Sequence, residues 1–366
     1  MLALAEIRRG KGRFAAIVAA LALLVFLVLV LGALSDGLYY GATGAVRSTS
    51  ATGYVFDKDA EGSLVRSRVP AADVATVDAV PGVTAAGPVG VLLTGGTGPQ
   101  GPIDLAVFGI DPGGPGTPSR VVDGRLPAPG EQGVAAVDTR LQQFGVELGS
   151  TVKVGEVLAK VVGFTADSNY QLQPSLWTTV TTWRAMRDAV RPEQRGQTAD
   201  VNAIAVTTDS DAALAAISAL PGLAALSAEQ TALAIPGVEQ QKSTLNSIIY
   251  TTLAVAAVVV GLFFALLVLE KRELFAALKA LGASTGKLGR SVIVQALVAS
   301  VLAVILGSVL ARLAGLVIPA TVPTLFRTQT LITIGIFTIV AGVVGALFSL
   351  RRIAKIDPAT AIGGTL

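Results

Sequence analysis

Residues 248–290 decide the fold: they read IIYTTLAVAAVVVGLFFALLVL, then EKRE, then LFAALKALGASTGKLGR. The first part, residues 248–269, is an uncharged apolar run, and about 20 such residues cross a bilayer as a helix. The run stops at Glu270, and a further apolar run begins after Arg290. The stretch therefore predicts a short charged segment held between two membrane spans.

The charged segment, residues 270–290, is itself predicted to contain a helix. Leu274, Leu278 and Leu281 recur at a spacing that places them on one helix face. Gly282 follows, at the position where a glycine commonly ends a helix. Basic residues outnumber acidic ones, which favours the cytoplasmic side of the membrane. Two interpretations remain open: an amphipathic loop lying on the membrane surface, or a helix that binds a cytoplasmic partner.

Composition excludes several classes of protein. Of the 366 residues, 52% are hydrophobic and 14% are charged, which fits neither a soluble globular protein nor a disordered chain. Cysteine and histidine are both absent, so disulfides, thiolate metal sites and the commonest general base are excluded. Residues 35–246 carry 14 basic and 21 acidic residues, whereas the rest of the chain carries 14 basic and 4 acidic. This asymmetry indicates membrane topology and no nucleic-acid partner.

The N-terminus is basic, and the apolar run that follows it exceeds the apolar region of a typical signal peptide. No clear cleavage site precedes Ser35, so the run is predicted to be an uncleaved anchor with its N-terminus inside. Two later apolar runs, residues 248–269 and 331–350, are also flanked by basic residues, which follow the run in both cases. The sequence thus predicts a multi-pass protein of the cell (cytoplasmic) membrane, with both termini cytoplasmic.

The predicted fold class is a membrane protein with four transmembrane α-helices and a large α+β extracytoplasmic domain inserted between helices 1 and 2. The predicted segments, in chain order, are a cytoplasmic N-terminus (1–14), transmembrane helix 1 (15–37), the extracytoplasmic domain (38–246), transmembrane helix 2 (247–269), a cytoplasmic coupling helix and loop (270–290), transmembrane helix 3 (291–318), an external loop (319–330), transmembrane helix 4 (331–350) and a cytoplasmic tail (351–366).

Within the extracytoplasmic domain, alternating and β-branched runs predict strands at 89–93 and 103–110. The Gly/Pro-rich residues 94–102 between them are predicted to be a loop. Residues 151–164 predict a hairpin that turns at Gly155-Glu156. Residues 211–220 predict a helix with Asp209 or Ser210 as its N-cap.

The chain shows no nucleotide site of its own. Residues 282–288, GASTGKL, superficially resemble a phosphate-binding loop, but that loop needs four residues between its glycines and Ser or Thr after its lysine. Here three residues intervene and Leu288 follows the lysine. No catalytic constellation is evident in the external domain either. The chain is therefore not expected to be an enzyme, and any ATP that drives it must bind a separate polypeptide.

Four stretches carry a family resemblance. Residues 270–284, EKRELFAALKALGAS, are similar to the cytoplasmic segment that follows the second span in the MacB/FtsX-like permeases of ABC transporters, and residues 351–361, RRIAKIDPATA, are similar to the usual ending of that family. The order of one span, a large external domain and three closing spans resembles the same family. Residues 2–14, LALAEIRRGKGRF, and 54–68, YVFDKDAEGSLVRSR, most resemble its DevC/HrtB branch, which includes haem exporters and glycolipid exporters.

The resemblance implies a permease homodimer that binds two cytoplasmic ABC ATPase subunits, which carry the ATP and Mg. It implies export of a hydrophobic or amphipathic molecule, haem or lipid-like, by coupling the ATPases to motion of the external domain. This chain is expected to bind no cofactor and to contact membrane lipid. Carried onto this sequence, the residues of the helix that docks on the ATPase are Glu270, Arg272, Glu273, Leu274, Leu278, Lys279, Leu281 and Gly282.

Candidate substrate contacts are aromatic residues at and below the external ends of spans 1 and 2. They are Tyr39, Tyr40 and Tyr250, with Phe26, Phe263 and Phe264 deeper. The alternative for the tyrosines is an interfacial aromatic belt, and for the phenylalanines lipid contact or packing. Haem is one candidate substrate, although the usual His and Cys ligands are absent and the methionines, Met1 and Met186, lie elsewhere.

A different class of function also fits these features. An FtsX-like protein uses the strokes of its ATPase to regulate a cell-wall hydrolase outside the cell. A retained hydrolase would favour that function, whereas retained lipid or haem would favour export. A membrane-anchored enzyme fits poorly, because the chain has no His, no Cys and no recognisable nucleophile motif.

Overall fold

The structure is a computed structural model. It describes residues 11–195, 200–270, 273, 274, 276, 277, 281, 284–319 and 322–354. The chain divides into two compact units, which are described separately. The span unit comprises residues 1–37 and 242–366, and the sheet unit comprises residues 38–241.

The helices, in chain order, are α1 (Lys11–Arg47), α2 (Asp73–Asp78), α3 (Val180–Val190), α4 (Asp211–Ser218), α5 (Ala228–Ala234), α6 (Val238–Glu270), α7 (Thr285–Gly315) and α8 (Thr328–Ala354). The strands are β1 (Gly53–Asp57), β2 (Val69–Pro70), β3 (Val83–Gly98), β4 (Gly101–Ile110), β5 (Val121–Gly124), β6 (Val134–Asp138), β7 (Thr151–Val154), β8 (Val157–Thr165), β9 (Ser175–Thr179), β10 (Asp200–Val201), β11 (Ala203–Thr208) and β12 (Leu223–Ser227).

Among the residues that the structure describes, four helices are long and apolar enough to cross a membrane: α1, α6, α7 and α8. Together with the sheet-rich domain that lies between the first two in sequence, they confirm the predicted fold class. Two of these helices are longer than their apolar runs. Helix α1 continues to Arg47, and α6 already begins at Val238, so residues 38–47 and 238–246, which were predicted as part of the extracytoplasmic domain, are helical. A helix does not have to end where its apolar run ends, because its backbone hydrogen bonds continue to be made within the helix.

Glycines allow the spans to approach one another closely. Gly261 of α6 and Gly345 of α8 face each other, and a Cβ added at Gly261 would lie 3.0 Å from the Gly345 carbonyl oxygen. Gly307 of α7 lies against Val25 of α1, where an added Cβ would come within 2.8 Å of the valine side chain. Small residues at crossings let membrane helices pack backbone against backbone, since the lipid provides no hydrophobic drive for association.

The sheet unit is built around one mixed sheet in the order β12-β1-β11-β3-β4-β9-β6-β8-β5, with β7 pairing both β3 and β8. Most neighbours are antiparallel, and β4–β9 and β6–β8 are parallel. A separate pair joins β2 to β10. Trp177 of β9 stacks on Phe108 of β4 in the core, with ring centroids 4.4 Å apart. The predicted α+β domain is therefore a mixed sheet with short helices in the connections between its strands.

Two local predictions in the sheet unit are confirmed. Strands β7 and β8 form the expected hairpin, with Val154 opposite Val157. Helix α4 begins as predicted, and its N-cap is Ser210, whose side chain accepts a hydrogen bond from the Ala212 N–H. Of the two N-cap candidates left open by the sequence, the structure thus selects Ser210.

The predicted loop at 94–102 is wrong. Strands β3 and β4 remain paired as far as Gly98 opposite Gly101, so they form a long hairpin with a two-residue turn. Pro102 is tolerated because β4 pairs with β9 only from Ala106 onward, which leaves Pro102 on a free strand edge. Gly101 adopts a φ of 122°, a conformation that favours glycine. The Gly/Pro-rich residues 94–102, which suggested a loop, form the end of a two-stranded antiparallel ribbon.

The part of α1 that belongs to the sheet unit contacts residues 166–173, here called the contact loop. The Ala45 N–H donates a hydrogen bond to the Asn169 carbonyl at 2.8 Å, and the Leu172 N–H donates to the Gly41 carbonyl at 3.0 Å. The helix thus exchanges backbone hydrogen bonds with a loop that lies more than 100 residues away in sequence. Such insertion into a helical ladder is an established cause of local bending.

Buried side chains of β6 and β9 hold the contact loop in place. Asp138 is 1% exposed, and its carboxylate accepts hydrogen bonds from the Ser168 N–H at 3.1 Å and the Ser168 hydroxyl at 2.9 Å. The Ser168 hydroxyl also meets the Ser175 hydroxyl at 2.7 Å, and Trp177 Nε1 donates to Ser175. A charge-assisted network of this kind fixes the loop to β6 and β9.

Candidate functional site at one end of the spans

A cavity of about 270 Å³ lies within the span unit, between α1, α6 and α8. Its position is set by the end of the apolar run of α1, the first turns of the apolar run of α6 and the start of α8. These are the ends of spans 1 and 2 that lead, in sequence, into the sheet unit. We call this cavity the span pocket.

One side of the span pocket is polar. Asp36 of α1 accepts a hydrogen bond from the Thr330 hydroxyl of α8. Thr330 lies in the first turn of α8, where the positive end of the helix dipole favours a neighbouring carboxylate. Arg327 and Asn246 also line this side, and the Arg327 guanidinium lies 3.4 Å from the Gln329 amide oxygen.

The other side of the span pocket is apolar. Ile249 and Leu253 of α6 and Ile334 of α8 contribute buried side chains to its wall. Phe337, one turn further along α8, is 50% exposed and extends this wall toward the surroundings of the helices. The pocket therefore combines a charged and hydrogen-bonding end with an apolar wall, which is the arrangement that an amphipathic molecule requires.

The structure places one of the predicted aromatic residues at this pocket. Tyr250 lines it and is 60% exposed. Phe264 is fully buried in the core of the span unit and forms an edge-to-face pair with Phe263 at 5.9 Å. Phe263 and Phe26 are half-buried and pack against the same core. All three phenylalanines thus pack in or against this core, and none of them lines the span pocket.

The other two predicted tyrosines belong to the sheet unit. Tyr39 and Tyr40 form an edge-to-face pair with ring centroids 5.4 Å apart. The Arg47 guanidinium lies over the Tyr40 ring at 3.9 Å from its centroid, and 5.7 Å from that of Tyr39. Such cation–π contacts between residues about two helical turns apart stiffen the end of α1.

The polar residues of the span pocket were not anticipated from the sequence. In the sequence, Asp36 falls at the end of predicted transmembrane helix 1 and Arg327 falls within the predicted external loop 319–330, and no local pattern connects the two. One observation could have singled out Asp36: an ionisable residue at the margin of a membrane span is expensive and commonly functional. Its partner Thr330 could not be identified, because 294 positions separate the two residues.

The predicted ATPase-contact segment is described in part. Glu270 ends α6, and Glu273 and Leu274 are helical. Leu274 is 49% exposed, and Leu281 is 84% exposed. The Leu281 N–H donates to the Ala277 carbonyl at 3.0 Å, which is a helical hydrogen bond. The segment thus presents apolar side chains away from the core. Arg272, Leu278, Lys279 and Gly282 lie outside the described residues.

Two family models match this chain and together cover most of it. Residues 14–220 match the MacB-like periplasmic core domain, and residues 246–358 match the FtsX-like permease C-terminal domain. The chain belongs to the MacB/FtsX-like family of ABC transporter permeases. As a MacB/FtsX-like permease it is a multi-pass membrane protein and works with an ATPase partner. Permease subunits of this type are generally not enzymes themselves.

Some relatives of this MacB/FtsX-like permease match nearly its whole length, and others match a part of it. An uncharacterised ABC transporter permease of Mycobacterium tuberculosis is 28% identical over 370 residues, covering 99% of both chains. An HrtB of Staphylococcus haemolyticus, named for a hemin transport system, is 31% identical over 131 residues, or 36% of this chain and 37% of the relative. The solved periplasmic region of MacB from Actinobacillus actinomycetemcomitans aligns at 14% identity and a TM-score of 0.36, covering 50% of this chain and 92% of that one.

Proposed function

We propose that this permease exports a hydrophobic or amphipathic molecule, and that it does so as a homodimer in the cytoplasmic membrane with both termini inside. The observation that carries the proposal is the span pocket, which joins a charged end to an apolar wall at the margin of three spans. A molecule with a polar head and an apolar body can enter such a pocket sideways from the membrane. Export then requires no hydrophilic channel through the spans.

The energy for export comes from ATP and Mg bound by a separate ATPase subunit, which contacts the segment that follows α6. Exposed leucines support this assignment, since a helix that docks in a groove presents its apolar residues to the partner. Leu274 and Leu281 fit this role by their exposure, and Leu278 by its spacing in the sequence. The charged residues Arg272, Glu273 and Lys279 would lie at the rim of the contact and affect specificity more than affinity.

Haem and a lipid-like molecule are the two candidate substrates. The name of the HrtB relatives supports haem. Against haem, this chain has no His and no Cys, and Met186 is buried in the sheet unit. Tyr250 is the tyrosine that lines the span pocket, and tyrosine is an uncommon axial ligand. A lipid-like substrate needs no axial ligand and fits the pocket on its polar and apolar lining alone.

The ATPase contact is tested by Leu281→Asp. The substitution places a charge in an apolar interface, and we expect at least a tenfold loss of cognate ATPase subunit that co-purifies with the permease. Leu316→Asp is the matched control, because Leu316 is equally exposed at 83% and follows α7 at the opposite end of the span. Both variants should reach the membrane in wild-type amounts.

An unchanged amount of bound ATPase in Leu281→Asp would show that this segment is a loop on the membrane surface. The FtsX-like alternative is decided in the same preparation. If the wild-type complex retains a cell-wall hydrolase and no lipid or haem, the permease transmits ATPase strokes to that hydrolase, and the export proposal fails.

A further inference from the structure

The Asp36 carboxylate has an unusual position for a charged group. It lies at the end of the apolar run of α1, beside the apolar wall of the span pocket. Its hydrogen-bond partner in the described part of the chain is the Thr330 hydroxyl, which is neutral. Within those same residues it forms no ion pair with a lysine or arginine. A carboxylate so close to a membrane interior is costly unless a cation neutralises it.

Arg327 lines the same pocket but does not fill this role. Its guanidinium is within hydrogen-bonding reach of Gln329, and it makes a further contact. The pocket thus presents an acceptor carboxylate at one position and a cationic side chain at another. A cationic group on a ligand can pair with the Asp36 carboxylate and leave the contacts of the Arg327 guanidinium in place.

We propose that the span pocket binds an amphiphile whose headgroup carries an ammonium group. The ammonium pairs with Asp36, and the apolar body lies along Ile249, Leu253 and Phe337. The volume of about 270 Å³ is slightly below the range of about 300–1,000 Å³ that small-molecule sites occupy, so the pocket holds the headgroup and the first part of the chain. This inference rests on the proposed export function and narrows its substrate class.

Two kinds of molecule share this chemistry: an aminophospholipid of the membrane and a simple cationic amphiphile. Arg327 distinguishes them, because a phosphate beside the ammonium can pair with its guanidinium. An aminophospholipid would use both Asp36 and Arg327. A simple cationic amphiphile such as dodecylamine would use Asp36 alone.

The experiment uses the purified permease–ATPase complex in micelles of a maltoside detergent, whose sugar headgroup carries no ammonium group and so does not compete for the pocket. Binding of phosphatidylethanolamine, phosphatidylglycerol and dodecylamine is measured by native mass spectrometry, and ATP hydrolysis is measured alongside. In the wild type we expect phosphatidylethanolamine and dodecylamine to bind and phosphatidylglycerol to bind at least tenfold more weakly. Asp36→Asn keeps an oxygen that accepts the Thr330 hydrogen bond, so the fold should persist. It should weaken binding of both amines at least tenfold.

Asp104→Asn is the control for the change in charge, because Asp104 is an exposed carboxylate on β4. It should leave all three affinities unchanged. Arg327→Gln should weaken phosphatidylethanolamine and spare dodecylamine if the ligand is an aminophospholipid, and should spare both if it is a simple cationic amphiphile.

The inference is overturned if Asp36→Asn binds the amines as tightly as the wild type, or if phosphatidylglycerol binds equally well. Either result can occur while the complex still assembles and hydrolyses ATP, in which case the export proposal stands and its substrate lies elsewhere. Loss of the ATPase subunit from the wild-type complex would instead contradict the export proposal itself.

Discussion

Glycine serves two different purposes in the two units of this permease. In the span unit, Gly261 and Gly345 bring two apolar helices together, and the helix backbones keep their own hydrogen bonds. In the sheet unit, Gly44 brings the end of α1 against the contact loop, and there the helix and the loop exchange backbone hydrogen bonds. The first contact is ordinary close packing. The second also alters the hydrogen bonding of the helix it touches.

The surroundings of the two contacts differ accordingly. Among the described residues, several buried polar atoms near the contact loop have no hydrogen-bond partner: Arg47 Nη1, Ser48 Oγ, Asn169 Oδ1 and Gln173 Oε1. Asp167, Gln171 and Leu172 have positive φ angles of 55°, 49° and 68°. Unpaired polar atoms and left-handed residues both cost free energy, and they tend to occur together where a segment changes its arrangement. Among the described residues, the span unit has two buried hydroxyls without a hydrogen-bond partner, Ser300 Oγ and Ser308 Oγ of α7, but no non-glycine residue with a positive φ angle.

The largest effect is expected for Gly345→Ala. An added Cβ would meet the backbone of Ala257, which cannot rotate away, so α6 and α8 must separate. We expect a loss of roughly 2–3 kcal/mol in the free energy of unfolding, even after the higher helix propensity of alanine. Thermal unfolding of the purified permease measures it. Gly286→Ala, where an added Cβ meets nothing within 4 Å, is the control. Equal stability of the two variants would contradict close packing at this crossing.

A smaller effect is expected for Gly44→Ala. The added Cβ would lie 2.5 Å from the Asp167 carbonyl oxygen and 2.9 Å from the Asn169 nitrogen, so a short stretch of the contact loop has to move, whereas Gly345→Ala displaces two whole helices. We expect a net loss of about 1 kcal/mol. Hydrogen exchange at the Leu172 amide should rise several-fold, since its bond to Gly41 is disturbed.

The control for Gly44→Ala is Gly12→Ala in the same helix, where an added Cβ again meets nothing within 4 Å. It should leave exchange at Leu172 unchanged. If Gly44→Ala also leaves that exchange unchanged, the contact loop does not depend on the close approach of α1, and the contrast between the two glycine contacts disappears.

The smallest effect is expected for Arg120→Gln. Arg120 pairs with Asp167 of the contact loop at 2.7 Å, but both side chains are about two-thirds exposed. Exposed ion pairs contribute about 0–1 kcal/mol, so thermal unfolding should change by no more than a degree or two. The buried Asp138–Ser168 network would then be what holds the loop. A loss of stability comparable to that of Gly345→Ala would show that the surface pair matters more.

The sequence predicted those parts of the molecule that depend on local composition. The four spans followed from apolar runs and basic flanks, and the 151–164 hairpin followed from a Gly turn between alternating residues. The ribbon at 94–102 was missed because its pairing depends on facing residues across the hairpin and on the absence of a neighbour beside Pro102. Neither condition can be deduced from the composition of a Gly/Pro-rich stretch.

The candidate site was predicted only in part, for a similar reason. Tyr250 was found because aromatic residues at a span margin are conspicuous in the sequence. Asp36 and Thr330 become a site only when α8 packs beside α1, and the packing of the spans depends on small residues far apart in sequence. The ATPase-contact segment stays a prediction, and it rests on periodic leucines and a position between two spans, which are both local features of the sequence.

The hydrogen bond between Asp36 and Thr330 has a consequence for how the protein is made. Span 1 leaves the ribosome first, and its partner in span 4 follows 294 residues later. At a synthesis rate of about 5–20 residues per second, Asp36 therefore waits roughly 15–60 s for the helix that completes its pocket. During that time the carboxylate has to stay near the hydrated surface of the membrane. The pocket is thus closed only when α8 has been inserted, and a chain that ends before α8 has no pocket at all.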